Sequence, residues 1–238
     1  MKKAVEPHHR SHVIDLPDER TLVVHDTGPD EADAPTVVWH HGTPQSGALL
    51  APVVGAAAAR GLRVLSPARA GYGESTRVPG RSVADAAADV SHALTVLGVS
   101  SCYAVGASGG GPHALALAGS RPDVVRGAVT LAGVAPYDGT ERWFAGMADD
   151  AVRAGQEWPG GAVDDDVAYV RPWGTALADV AVPVLVVQGG EDRVIPQHHG
   201  EQLLDGLPAG ELWLRPRDGH VSVLGALAVA LDWLLALG

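Results

Sequence analysis

Ser108 stands at the centre of Gly106-Ala107-Ser108-Gly109-Gly110, between the apolar run 102–105 and the alanine-rich stretch 112–118. The pattern reads as a strand, a sharp turn and a helix, with a serine at the apex of the turn. A side chain there is held in a strained backbone conformation. The residues two before and two after must be glycine, because a Cβ would collide with the adjoining strand or helix. The turn also sets Ser108 at a helix N-terminus, where unpaired N–H groups and the helix dipole favour negative charge on the serine or on a bound oxyanion. Such a serine does chemistry only with a base, an acid that orients the base, and N–H donors for the oxyanion. Without them the pentapeptide is an ordinary glycine-rich loop.

The elements that must position these groups alternate along the chain. Strands are predicted at 12–16, 21–25, 36–40, 63–66, 101–105, 124–131, 184–188 and 211–215, and helices at 47–60, 83–97, 111–119, 197–206 and 221–235. Leading strands without helices, then regular alternation, imply an antiparallel edge on a mostly parallel eight-stranded sheet with helices on both faces. With 238 residues, 46% of them hydrophobic, one α/β core is expected. It spans 1–137 and 181–238, with 1–11 as a polar tail. The formal charge of −11 argues against a nucleic-acid or anionic-membrane partner. The first residues lack the apolar core of a secretory signal and no apolar run is long enough for a membrane span, so a cytoplasmic, soluble protein is expected. The single cysteine, Cys102, falls in a predicted buried strand and reads as a small core residue.

Residues 138–180 break the alternation. With Tyr137 they carry six of the eleven aromatics, including Trp143, Phe144 and Trp158, together with Met147, Gly160-Gly161 and Asp164-Asp165-Asp166. A long irregular connection of this composition reads as a short lid over a pocket, and Trp143, Phe144, Met147 and Trp158 are the candidate pocket residues.

Four further stretches follow predicted strands. His40-His41-Gly42-Thr43-Pro44 follows the third, Arg69-Ala70-Gly71-Tyr72-Gly73-Glu74-Ser75 the fourth, Gln188 through Asp192 to Pro196 the seventh, and Asp218-Gly219-His220 the last. Together with the serine turn they resemble, in order, the motifs of the α/β-hydrolase family over most of residues 12–238. Ala68 departs from the pattern, which has an aspartate there. The resemblance implies a cofactor-independent serine hydrolase, with no metal. Ser108 would be the nucleophile, His220 the base and Asp192 the orienting acid, and the backbone N–H groups of Thr43 and Gly109 would form the oxyanion hole. An imidazole, with an unperturbed pKa of about 6.5, can take the serine proton and return it to a leaving group, and the acid holds its tautomer.

Rival placements stay open. Asp138 is an alternative acid position. His113, five residues past Ser108 on the same helix, reads as packing or capping. His8, His9 and His12 read as a polar tail rather than a metal site, and Asp164 to Asp166 likewise. His198 and His199 are expected in the first turn of an exposed helix. The principal reading is a carboxylesterase acting on a small-molecule ester. A proline-iminopeptidase-like aminopeptidase competes, with Glu141, Asp149, Asp150 and Glu157 available to bind a substrate amine. Lactonase, carbon–carbon hydrolase and perhydrolase chemistry, or a ligand-binding receptor-like protein, complete the alternatives. Oligomeric state is not legible.

Overall fold

Eight stretches of the chain become the eight strands of one sheet. The computed structural model describes residues 9–28, 34–140, 143 and 160–238. Strands β1 (Arg10–Asp15), β2 (Thr21–Asp26), β3 (Thr36–His40), β4 (Arg63–Ala68), β5 (Cys102–Ala107), β6 (Val125–Leu131), β7 (Val184–Gly189) and β8 (Gly210–Arg215) lie in the order β1-β2-β4-β3-β5-β6-β7-β8. β1–β2 and β2–β4 pair antiparallel and the other neighbours parallel. The mostly parallel sheet with an antiparallel edge is therefore what forms.

Alternation along the central strands feeds two cores. Val38, Leu65, Ala104 and Val186 face helices α2 (Val83–Val96), α3 (Gly110–Ser120) and α5 (Gln197–Gly206). Val37, Val64, Val105 and Val187 face α1 (Ala51–Ala58) and α6 (Leu227–Leu235). Each fully buried valine or leucine contributes about 1.5–3 kcal/mol of transfer free energy, so this two-sided burial, rather than any single contact, holds the sheet. The antiparallel edge is fastened by a buried ion cluster: Asp26 on β2 accepts from Arg63 on β4, and from Arg10 and His12 on β1.

The chain passes from β3 outward to β4 and returns to β5 on the other side of β3. The carboxyl ends of β3 and β5 thus flank a topological switch point, where α/β sheets open a crevice.

Several boundaries differ from the sequence reading. β1 starts at Arg10, so Arg10 and Ser11 belong to the sheet, opposite Asp26 and His25, and not to a tail. α1 begins at Ala51, not at 47. Gly47 has φ +83°, outside the helical region, while Pro52 suits a first helical turn. The last helix is preceded by a separate 3-10 turn, Ser222–Ala226. Within 138–180 an unforeseen helix, α4 (Gly160–Tyr169), forms, followed by a 3-10 turn at Leu177–Asp179. Its glycines and aspartates are poor helix formers, and the partners its carboxylates find in the core outweigh that propensity. Among the described residues no helix is long and apolar enough to cross a membrane.

Candidate active site

The turn after β5 places Ser108 in the left-handed region, at φ +53°. A Cβ on Gly106 would collide with the Gly110 carbonyl, and one on Gly110 with the His40 carbonyl, so both flanking glycines are dictated by close approach. The strained serine is held by its own N–H, which donates to Leu131 O at 2.9 Å. Its neighbours on both sides are buried, and Ser108 alone of the turn is partly exposed.

His220 arrives from the loop after β8. Its Nε2 lies 3.0 Å from Ser108 Oγ and its Nδ1 2.8 Å from Asp192 Oδ2. Asp192, after β7, is fully buried at its side chain, while His220 keeps 20% exposure. The other carboxylate oxygen of Asp192 accepts N–H bonds from Val194 and Ile195 at 2.8 Å each, which fixes the plane of the group. The two loops are laced together by Gly190 N to Arg215 O and Glu191 N to Asp218 O. The structure thus brings together all three residues expected to cooperate.

Thr43 follows β3, next to the serine turn. Among the described residues neither the Thr43 nor the Gly109 N–H is spent on a protein acceptor. His41 shapes this turn: Nδ1 donates to Gly42 O at 2.8 Å and Nε2 accepts Arg69 N–H at 3.4 Å, which requires a neutral ring. Burial, followed by the Arg69 charge, keeps its pKa well below the usual histidine range.

Beneath the site lies a polar cluster that the motifs did not reveal. Asp165 on α4 is fully buried and accepts from Thr43 Oγ1 at 2.6 Å, Tyr72 OH at 2.7 Å and Arg69 Nη2 at 2.6 Å, and is also paired with Arg81. Burial pushes its carboxyl up, but Arg69 first and then the other cationic neighbours more than offset this, holding it well below the ordinary carboxylate range. Arg69 Nη1 donates to His41 O at 2.5 Å. Tyr169, also on α4, donates to Gly109 O at 2.9 Å and lies 2.8 Å from Thr43 Oγ1. His113 does turn back as a cap: Nδ1 bonds Gly109 O at 2.9 Å, and burial keeps it neutral. Asp164 pairs with Arg77 on the outer side, and Gly161 packs against Gly71 so closely that a Cβ on Gly71 would stand 2.8 Å from its Cα. Asp164 and Asp165 are therefore buried anchors, not a solvated acidic run. The signal that could have found Asp165 is Arg69 itself: with alanine at 68, a carboxylate for this loop had to come from elsewhere.

The fold agrees with the comparisons. The profile of the alpha/beta hydrolase fold matches residues 35–163, more than half of the chain. The chain belongs to the alpha/beta hydrolase family. Among curated proteins it is 28% identical, over 81% of its length and 86% of the other's, to RutD of Serratia proteamaculans, a protein named for carbamate hydrolysis. Among solved structures, a hydrolase from Pseudomonas aeruginosa superposes with a TM-score of 0.76 at 20% identity, covering 95% of this chain and 98% of that one. An esterase from Exiguobacterium antarcticum gives 0.76 at 18% identity with the same coverage.

Other expected positions fall out differently in this hydrolase. Trp143 is a core side chain, not a pocket wall: it is 1% exposed, its indole N–H donates to Ala135 O at 2.9 Å, and its ring packs on His199. Phe144, Met147 and Trp158, with Glu141, Asp149, Asp150, Glu157 and His8, lie outside the described residues. His199 is fully buried, contrary to the exposed helix expected, because Nδ1 accepts Ala135 N–H and Nε2 donates to Trp143 O. Asp138 spends its carboxylate on Thr140, and the acid bonded to His220 is Asp192. His12 bonds Asp26 in the sheet edge. Cys102 is buried, and burial pushes its thiol up to about 12, which leaves it unreactive.

Proposed function

We propose that this protein is a serine hydrolase that cleaves carboxylic esters through an acyl-enzyme. The observation that carries the reading is the partly exposed Ser108 Oγ, 3.0 Å from a His220 ring whose far nitrogen is on buried Asp192. His220 Nε2 takes the serine proton as Oγ attacks the ester carbonyl carbon. The carbonyl oxygen becomes an oxyanion facing the Thr43 and Gly109 N–H groups, donors of a kind worth about 2.7–4 kcal/mol each. The tetrahedral adduct collapses, the C–O bond to the alcohol breaks, and His220 returns the proton to the departing alkoxide. Water then repeats the sequence on acyl-Ser108 to release the acid. No step draws on a cofactor. The proposed lid segment, 138–180, is short, which favours small and medium esters.

A direct test is turnover of p-nitrophenyl esters of rising chain length, with fluorophosphonate labelling of wild type and Ser108→Ala. The reading expects an adduct lost with Ser108 and best rates on short and medium acyl groups. No adduct on the folded wild type would defeat it in favour of a binding protein. The likeness to RutD favours a second reading, carbamate cleavage at the same serine. Side-by-side turnover of an ester and a carbamate ranks the two, and prolyl naphthylamide tests the aminopeptidase alternative.

A further inference from the structure

Asp165 and Tyr169 sit four residues apart on α4, and therefore on one face of the helix. That face meets both residues assigned to the oxyanion hole. Asp165 accepts a hydrogen bond from the Thr43 hydroxyl at 2.6 Å, and the same carboxylate holds Arg69, whose guanidinium is fixed on the carbonyl of His41 two residues earlier. With the Thr43 proton committed to the carboxylate, the Tyr169 hydroxyl is shared between Thr43 Oγ1 at 2.8 Å and Gly109 O at 2.9 Å. The fit around Gly109 leaves no slack. A Cβ there would run into the Tyr169 hydroxyl and stand 2.5 Å from Thr43 Oγ1. The carbonyl of Gly109 is also gripped by His113 Nδ1 at 2.9 Å, so the backbone on one side of the Gly109 N–H is clamped by two side chains.

We propose that α4 is part of the catalytic apparatus, with Asp165 and Tyr169 as positioning residues that set the Thr43 and Gly109 N–H groups toward the developing oxyanion. This rests on the serine-hydrolase reading above. Neither residue touches the reacting atoms. Each acts by fixing a backbone donor, so its effect belongs to the transition state, in which the oxygen carries charge, and not to the bound ester. A misplacement well under 1 Å is enough to matter, since errors of about 1 Å cost on the order of 100-fold.

Asp165→Asn leaves two guanidiniums short of a buried counter-charge and is a poor first probe. Thr43→Val and Tyr169→Phe each remove one hydroxyl and keep the ion cluster, with Thr43→Val also keeping its N–H. On p-nitrophenyl butyrate each should keep KM within about twofold and lose about 10-fold in kcat. Affinity for an alkyl boronic acid, which forms a tetrahedral adduct on Ser108, should fall in the same proportion. The double variant should lose less than the product of the singles, because the two hydroxyls share one hydrogen-bonded chain. Folding is checked by thermal melts. Wild-type kcat and boronate affinity in both folded single variants would overturn the inference while leaving Ser108 chemistry standing. A raised KM at unchanged kcat would overturn it too, by assigning these groups to substrate binding. Absence of Ser108 labelling in wild type would instead remove the reading beneath it.

Discussion

The triad and the cluster beneath it handle polar groups in opposite ways. Ser108 and His220 remain partly open, and their side chains are joined by a single 3.0 Å contact. Asp165, a few residues away in space through Thr43, has no exposure and accepts from Arg69, Arg81, Tyr72 and Thr43. A group that must gain and lose a proton is left with a vacancy, and a group that must hold position is saturated. Saturation in a low-dielectric interior makes each bond strong and its loss expensive, so the cluster gives rigidity and the triad gives reactivity.

The largest effect should come from the acid that serves the open region. Asp192→Asn keeps the shape but allows the wrong imidazole tautomer, and kcat should fall on the order of 10³–10⁴-fold with little change in melting temperature. Asp138→Asn should stay within about twofold of wild type, since that carboxylate is spent on Thr140. If the two variants exchanged phenotypes in an ester assay, Asp138 would be the acid and the 2.8 Å contact of Asp192 incidental.

In the saturated region the corresponding change should act on stability. Asp165→Asn breaks a buried ion cluster and should cost about 3–5 kcal/mol, lowering the melting temperature by roughly 10 °C for a chain of this size. A melt within about 2 °C of wild type would show the cluster to be less closed than its burial implies.

The contrast also explains what could be read in advance. Reactive residues sit on short stretches whose backbone demands are themselves visible: the glycines around Ser108, the turn bearing Thr43, the loops bearing Asp192 and His220. The central strands were legible because two-sided burial writes itself as apolar runs, whereas the edge strands β1 and β8 are only partly buried. α4 was not, because Gly160, Gly161 and three successive aspartates argue locally for a loop, and the reason they fold into a helix lies on Arg69, Arg77 and Arg81, some ninety residues earlier. His199 was misplaced for the same reason: its partners, Ala135 and Trp143, come from distant segments. Saturated polar groups owe their burial to long-range partners, and such partners leave no local pattern.

Two histidines sharpen the comparison further. In the proposed mechanism His220 must cycle its proton, whereas His199 is locked, with Nδ1 accepting and Nε2 donating to backbone. Burial lowers the His199 pKa to about 4. The unfolded chain, with an ordinary histidine near 6.5, therefore binds more protons between pH 6.5 and 4, so stability falls as pH drops through that window. Between pH 7.5 and 5.5 His199 alone should cost about 1.4 kcal/mol. Denaturant unfolding at both pH values should show wild type losing that much more than His199→Gln. Equal losses would mean that the ring accepts a proton in the folded state.

The smallest effect tests whether the two sides of α4 differ as their burial says. Asp164 binds Arg77 through two hydrogen bonds, at 2.8 and 3.2 Å, so its geometry is as good as that of the inner pairs. Arg77, however, is 49% exposed against 5% for Asp164, so the pair lies between a screened surface pair, worth about 0–1 kcal/mol, and a fully buried one. Arg77→Ala should thus lower the melting temperature by clearly less than Asp165→Asn does and leave kcat within twofold. Geometry alone would rank Arg77 beside Arg69, and a melting loss near that of Asp165→Asn would mean that contact, rather than saturation away from water, decides what α4 contributes.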